Sequence, residues 1–135
     1  MMTHDDYHTA IRAKVAGTWN LHHAALREQK LPLDFSMMLS SISGVVGNKG
    51  QAKYAAANTF LDAFASYRQG MGLRANTFDL GAIEEVGFVA EQGGALEVRF
   101  DKGQWTPINE SMLRKIINYS IFQQDSRPLN ANSRV

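Results

Sequence analysis

Apolar residues recur at spacings of three and four along the start of the chain. Ile11, Val15, Trp19, His22 and Leu26 share one mostly apolar face, which predicts a helix over 3–28. Thr3 is placed to cap it, and Asp5 and Asp6 lie in the first turn, where the helix dipole favours negative charge. Lys14 sits at the edge of the apolar face, about 60° from Ile11 at ~100° per residue. Pro32 marks a break. Phe35 to Leu39 is a short apolar run that fits a buried strand, with Met37 and Met38 in its core packing. Gly44 to Gly50, which includes Asn48, reads as a loop. A second helix is predicted from Gln51 to Tyr67, with Tyr54, Asn58, Leu61 and Ala65 on one stripe and Phe60 and Phe64 on another. Two apolar stripes predict burial on more than one side. Gly70 and Gly72 end this helix. Arg74 to Leu80 is the second strand, and 82–104 is a long glycine-rich loop without a clear period. Thr106-Pro107 opens a third helix, with Pro at its first position and Met112, Leu113, Ile116 and Ile117 on its apolar face. From Gln123 to Val135 the chain is polar and reads as a flexible tail after a domain over 1–122.

Strands that alternate with helices indicate parallel pairing in an α/β fold. Doubly wound sheets have more strands than the two found here, and they are covered on both faces. The fold class is therefore an incomplete doubly wound, Rossmann-like parallel sheet.

Composition narrows the chemistry. Apolar residues make up 44% of the 135, charged residues 20%, and the formal net charge is +1. Neither a nucleic-acid footprint nor an acidic-partner surface follows from that balance. The chain has no cysteine, which excludes disulfides, thiolate metal sites and a thiol nucleophile. The first residues lack the basic and apolar regions of a secretory signal, and no apolar stretch approaches a membrane span. A cytoplasmic protein is expected, with no membrane partner. His4 and His8 are four apart on a helix, but no third ligand accompanies them, so no metal site is assigned. No Gly-x-Ser-x-Gly elbow marks a serine hydrolase.

Four residues carry candidate chemistry: Lys14, Ser41, Tyr54 and Asn58. Ser41 follows a predicted strand, and ligands of doubly wound sheets bind outside the carboxyl ends of the strands. Tyr54 and Asn58 are one turn apart on one helix face, so both side chains can reach one place. A phenol alone is a poor acid at neutral pH, and a nearby ammonium stabilises its phenolate. Tyr54 could then act as general acid toward a developing alkoxide. Spacing alone also fits a buried aromatic with a neighbouring amide, a turn serine and a solvated lysine.

The motifs add a resemblance. The run Lys14-Val15-Ala16-Gly17-Thr18-Trp19 resembles the lysine helix of polyketide-synthase ketoreductases. Leu39-Ser40-Ser41-Ile42-Ser43-Gly44 and Gln51-Ala52-Lys53-Tyr54-Ala55-Ala56-Ala57-Asn58 resemble their serine and tyrosine motifs. Asp79-Leu80-Gly81 and Trp105-Thr106-Pro107 are similar to later segments of the domain in fungal highly reducing synthases. Ordinary short-chain dehydrogenases carry Tyr-x-x-x-Lys; here Asn58 holds the position four after Tyr54, and the lysine is Lys14, as in polyketide ketoreductases. The resemblance implies that Tyr54 donates the proton, Ser41 binds the substrate carbonyl, Lys14 tunes Tyr54 and Asn58 orients Lys14 or a relay water. It also implies NADPH as cofactor, with Leu80 and Gly81 on the nicotinamide side, and an acyl carrier protein-bound β-ketoacyl thioester as substrate. It identifies the chain with the C-terminal half of the domain only. No Gly-x-Gly-x-x-Gly occurs, so NADPH is not expected to bind tightly to this chain alone. A complementing N-terminal half, or self-association, is the expected partner arrangement. The alternative is a non-catalytic remnant or an interaction module.

Overall fold

The computed structural model describes residues 4–28, 33–47, 49–83 and 106–125. Thr3, Pro32, Asn48, the predicted loop over 84–104, Trp105 and the tail from 126 lie outside the described residues.

The predicted first helix is continuous over 4–28 but not uniform. It comprises α1 (His4–Ile11), a π-helical segment (Arg12–Ala16) and α2 (Gly17–Glu28). The Gly17 N–H bonds to the Arg12 carbonyl, five residues back. This i→i+5 spacing holds an extra residue in the turn and rotates Lys14 out of the phase that regular helical spacing gives. The spacings of four at Ile11, Val15 and Trp19 fit a regular helix as well, so the sequence does not reveal this segment.

Strand β1 (Met37–Ser41) pairs in parallel with β2 (Asn76–Leu80), in a register that sets Ser40 opposite Asp79 and Ser41 opposite Leu80. The first strand thus starts two residues later than its apolar run suggests, and it ends on two buried serines. Polar residues continue the strand because the ladder satisfies their backbone groups. A third chain segment begins to join beyond β2: Ile83 and Ile108 form an isolated parallel bridge, and the Ile108 N–H donates to the Ala82 carbonyl at 2.8 Å.

The segment read as a loop after β1 contains one helical turn, α3 (Ser43–Val46), before Gly47 and Gly50 take φ values of 73° and 80°. The helix α4 (Ala52–Gly70) then extends three residues past Tyr67. Its buried residues are Ala57, Asn58, Leu61, Phe64, Ala65 and Arg68. At ~100° per residue these span one arc of about 120°. The two-stripe expectation gives way to a single broad face: Phe60 is only half-buried, and Tyr54, in the first turn, is exposed. Gly72, at φ 75°, allows the chain to turn sharply after α4, where the Leu73 N–H reaches back to the Arg68 carbonyl.

Helix α2 packs on α4 through rings. Trp19 meets Phe64 edge to face at 4.8 Å, and His22 meets the same ring at 5.3 Å. His22 and Arg68 are both buried, and the Arg68 guanidinium lies 2.6 Å from the His22 Nδ1.

The last helix, α5 (Glu110–Asp125), starts later than Pro107 suggests. Asn109 caps it instead, its side-chain oxygen accepting the Met112 N–H at 2.9 Å. The helix also runs through Gln123–Asp125, which the polar sequence had placed in the tail. Gln124 is buried because it bridges two strands' starts: it accepts the Ser36 N–H at 3.0 Å and donates to the Asn76 side chain at 2.9 Å. Ser120, fully buried, donates to the same Asn76 oxygen at 2.8 Å.

Candidate active site

The close approach of α3 to α4 builds the floor of the site. A Cβ on Gly44 would lie 3.1 Å from the Thr59 backbone nitrogen and 3.2 Å from the Asn58 Cβ. Thr59 fixes this contact by donating its hydroxyl to the Gly44 carbonyl at 2.9 Å. Ser41 closes β1 and is buried; its Oγ accepts the Ser43 N–H at 3.3 Å, at the start of α3. That bond uses a lone pair and leaves the hydroxyl proton available to another acceptor.

Lys14 reaches the site from the π-helical segment. Its Nζ donates to the Leu39 carbonyl at 3.0 Å and stands 5.9 Å from the centroid of the Tyr54 ring. Ser36 and Ile42 bond toward β2, so strand alternation turns the Leu39 carbonyl to the opposite edge of β1. The ammonium therefore caps a carbonyl on the side of β1 that has no strand partner among the described residues. Burial lowers the Lys14 pKa, and the charge of Asp62 opposes that shift.

Tyr54 is 41% exposed. Asn58 lies one turn further along α4 and is completely buried. Its Nδ2 donates to the Tyr54 carbonyl at 2.8 Å, and its Oδ1 has no hydrogen-bond partner. The Asn58 carbonyl accepts the Ser40 hydroxyl at 3.2 Å. Leu80 ends β2 opposite Ser41, and Gly81 beyond it has, among the described residues other than its chain neighbours, no atom within 4 Å of where a Cβ would stand.

The structure thus brings Lys14 beside Tyr54, Asn58 against the backbone of Tyr54, and Ser41 beside Leu80 at the carboxyl ends of both strands. That is where ligands bind in such sheets. Three neighbours escape a motif-based reading: Ser40, Asp62 and Asp79. Ser40 was masked by the adjacent Ser41. Asp62 has a signal, since it follows Asn58 by one turn on the same helix face. Burial raises the Asp79 pKa, a hydrogen bond with Ser40 opposes the rise, and the charge of Asp62 adds to it. Among the described residues no group of three or more His, Asp or Glu is placed to hold a metal ion. No described helix is long and apolar enough to cross a membrane.

Comparison with known proteins gives the family of the chain. The KR domain family matches residues 1–85. A highly reducing polyketide synthase of Eupenicillium brefeldianum is 52% identical over 123 residues, covering 91% of this chain and 5% of that protein. One from Arthrinium phaeospermum is 48% identical over 129 residues, again 5% of its length. A solved A1-type ketoreductase superposes with a TM-score of 0.80 at 27% identity, covering 92% of this chain and 25% of that one. A ketoreductase domain from the bacillaene assembly line gives 0.70 at 31% identity, over 90% and 30% of the two chains. The chain thus spans about a twentieth of its curated relatives and about a quarter of most solved ketoreductase chains that it matches. Motifs, parallel sheet and shared identity lead to one conclusion: the chain belongs to the ketoreductase (KR) domain family, with the KR domains of fungal highly reducing polyketide synthases as its relatives.

Proposed function

We propose that this chain carries the proton-donating part of an NADPH-dependent β-ketoacyl-thioester reductase, with its substrate held on an acyl carrier protein. The observation that carries the reading is the approach of the Lys14 ammonium to the Tyr54 ring, 5.9 Å from its centroid, beside the carboxyl ends of two parallel strands. Tyr54 holds the proton at its phenol oxygen and gives it to the oxygen of the reacting carbonyl. Lys14 stabilises the phenolate that remains. Ser41 orients that carbonyl by donating the hydroxyl proton that its bond with Ser43 leaves unused. Asn58 orients Lys14 or a relay water, its buried Oδ1 being left unpartnered for that bond.

NADPH, when bound, supplies the hydride. Among the described residues, those that suit NADPH belong to its nicotinamide end: Tyr54 is exposed, and no described atom beyond the chain neighbours lies within 4 Å of where a Cβ on Gly81, next to Leu80, would stand. No Gly-x-Gly-x-x-Gly turn is available here to cradle the pyrophosphate. We propose that a ketoreductase segment bearing such a turn completes the doubly wound sheet of which β1 and β2 form one part, and that the 135-residue chain reduces nothing by itself.

The test is Tyr54→Phe in a reaction complemented with such a segment. Turnover should fall by ~10²–10⁴-fold, the usual cost of losing a general acid. Turnover equal to that of the native chain would remove Tyr54 from the mechanism.

A further inference from the structure

Two consecutive residues near the end of β1 hold the two halves of the Lys14–Tyr54 pair. The Leu39 carbonyl takes the Lys14 ammonium at 3.0 Å, on one edge of the strand. The next residue, Ser40, is buried, and its hydroxyl donates to the Asn58 carbonyl on α4 at 3.2 Å. One turn back along α4, the Tyr54 carbonyl accepts the Asn58 Nδ2 at 2.8 Å. Hydrogen bonds therefore lead from Lys14 through Leu39, Ser40 and Asn58 to the Tyr54 backbone, while Lys14 Nζ stands 5.9 Å from the centroid of the Tyr54 ring.

The Asn58 carbonyl does not need Ser40 to be satisfied. Inside α4 it accepts the Asp62 N–H, four residues on, and the hydroxyl takes its second lone pair. The strand does not need the bond either, since its ladder pairs it with β2 through the backbone. What the hydroxyl adds is a fixed distance between strand and helix at the turn that follows Tyr54. The adjacent residue, Thr59, ties the same turn to α3 through the Gly44 carbonyl at 2.9 Å. We propose that Ser40 is a positioning residue: its hydroxyl fixes α4 against β1 at Asn58 and so sets the spacing between the Lys14 ammonium and the Tyr54 ring. The use of that spacing rests on the proton-donor role of Tyr54; the spacing itself does not, and it is what the test reads.

Nuclear magnetic resonance on the 135-residue chain reports the spacing as the Overhauser enhancement between the Lys14 ε-methylene and the Tyr54 ring. The Trp19–Phe64 enhancement, from rings 4.8 Å apart, is the control on the packing of α2 against α4. In Ser40→Ala the Lys14–Tyr54 enhancement should fall about threefold, because it follows the sixth power of distance and a displacement of ~1 Å is the scale that disturbs an active site. The Trp19–Phe64 enhancement should keep its native strength. Ser40→Thr, which retains a hydroxyl, should restore the native Lys14–Tyr54 value. An unchanged Lys14–Tyr54 enhancement in Ser40→Ala would overturn the proposal. So would an equal fall in Ser40→Thr, or a fall shared by Trp19 and Phe64, which marks a general loosening of the fold. Should Ser40→Ala not fold, Ser40→Val takes its place, having the shape of Thr without the hydroxyl; equal enhancements in the Val and Thr variants would then overturn the proposal. Native turnover in Tyr54→Phe would remove the proton-donor role and leave these enhancements as they are, so the two ideas can fail separately.

Discussion

Protonating His22 would set two positive charges 2.6 Å apart in a buried site, because Arg68 already points a guanidinium N–H at its Nδ1. The ring must accept that bond as a neutral imidazole. Burial, then Arg68, then His23 hold the His22 pKa below its ordinary value. The unfolded chain binds a proton near the ordinary histidine pKa of ~6.5, and the folded chain does so only at lower pH. Stability is therefore full above that value and falls as pH drops from it toward the folded pKa. Urea titrations at several pH values should show the midpoint declining over this window. His22→Gln keeps an acceptor for Arg68 but cannot titrate, so its decline should be shallower; an identical slope would show that other groups set the acid sensitivity. None of this was legible in the sequence. His22 stood out only as a member of an apolar stripe, and its partner lies 46 residues away.

Elements were easier to foresee than the contacts between them. Apolar periodicity gave α2, α4 and α5, and the tyrosine motif fell on α4 as expected, whereas Ser41, expected just past the strand, is the last residue of β1. The π-helical segment was missed because the spacings of four at Ile11, Val15 and Trp19 fit a regular helix as well, and the turn α3 because four residues are too few to show a period. Polar anchoring of α5 was missed for a related reason: Ser120 and Gln124 are buried, whereas Met112, read as part of the apolar face, is exposed. The least visible requirement is the glycine at 44. A methyl group there would press on the α4 backbone at Thr59, which cannot swing aside as a side chain does. Gly44→Ala should destabilise the chain by about 1–3 kcal/mol, the usual cost of overpacking. It should also loosen Ser41 relative to Asn58. Thermal melts of the two proteins measure the first effect, and a native-like melt in Gly44→Ala would show that α3 moves away freely.

At the scale of the whole molecule, the two strands of the described residues cannot cover their own edges. Lys14 caps one carbonyl of β1, but one capped carbonyl does not close a strand edge. Apolar side chains also remain in contact with solvent, among them Leu21, Val45, Tyr119 and Phe122, each more than 60% exposed. Burying a large apolar side chain contributes about 1.5–3 kcal/mol, against the ~5–15 kcal/mol that separates a folded domain from its unfolded chain. Association that covers these residues is favoured, so sedimentation velocity of the 135-residue chain should show dimers or larger species that grow with concentration. A compact monomer at all concentrations would contradict this.

Oxidation of NADPH with a β-ketoacyl thioester as acceptor tests the proposed function most directly. It is followed for the 135-residue chain alone, for a ketoreductase segment bearing the glycine-rich turn alone, and for the two together. Oxidation is expected only in the mixture, with one hydroxyacyl product formed per NADPH consumed. Oxidation by the 135-residue chain alone, or none in a mixture whose two parts demonstrably associate, would contradict the proposed function.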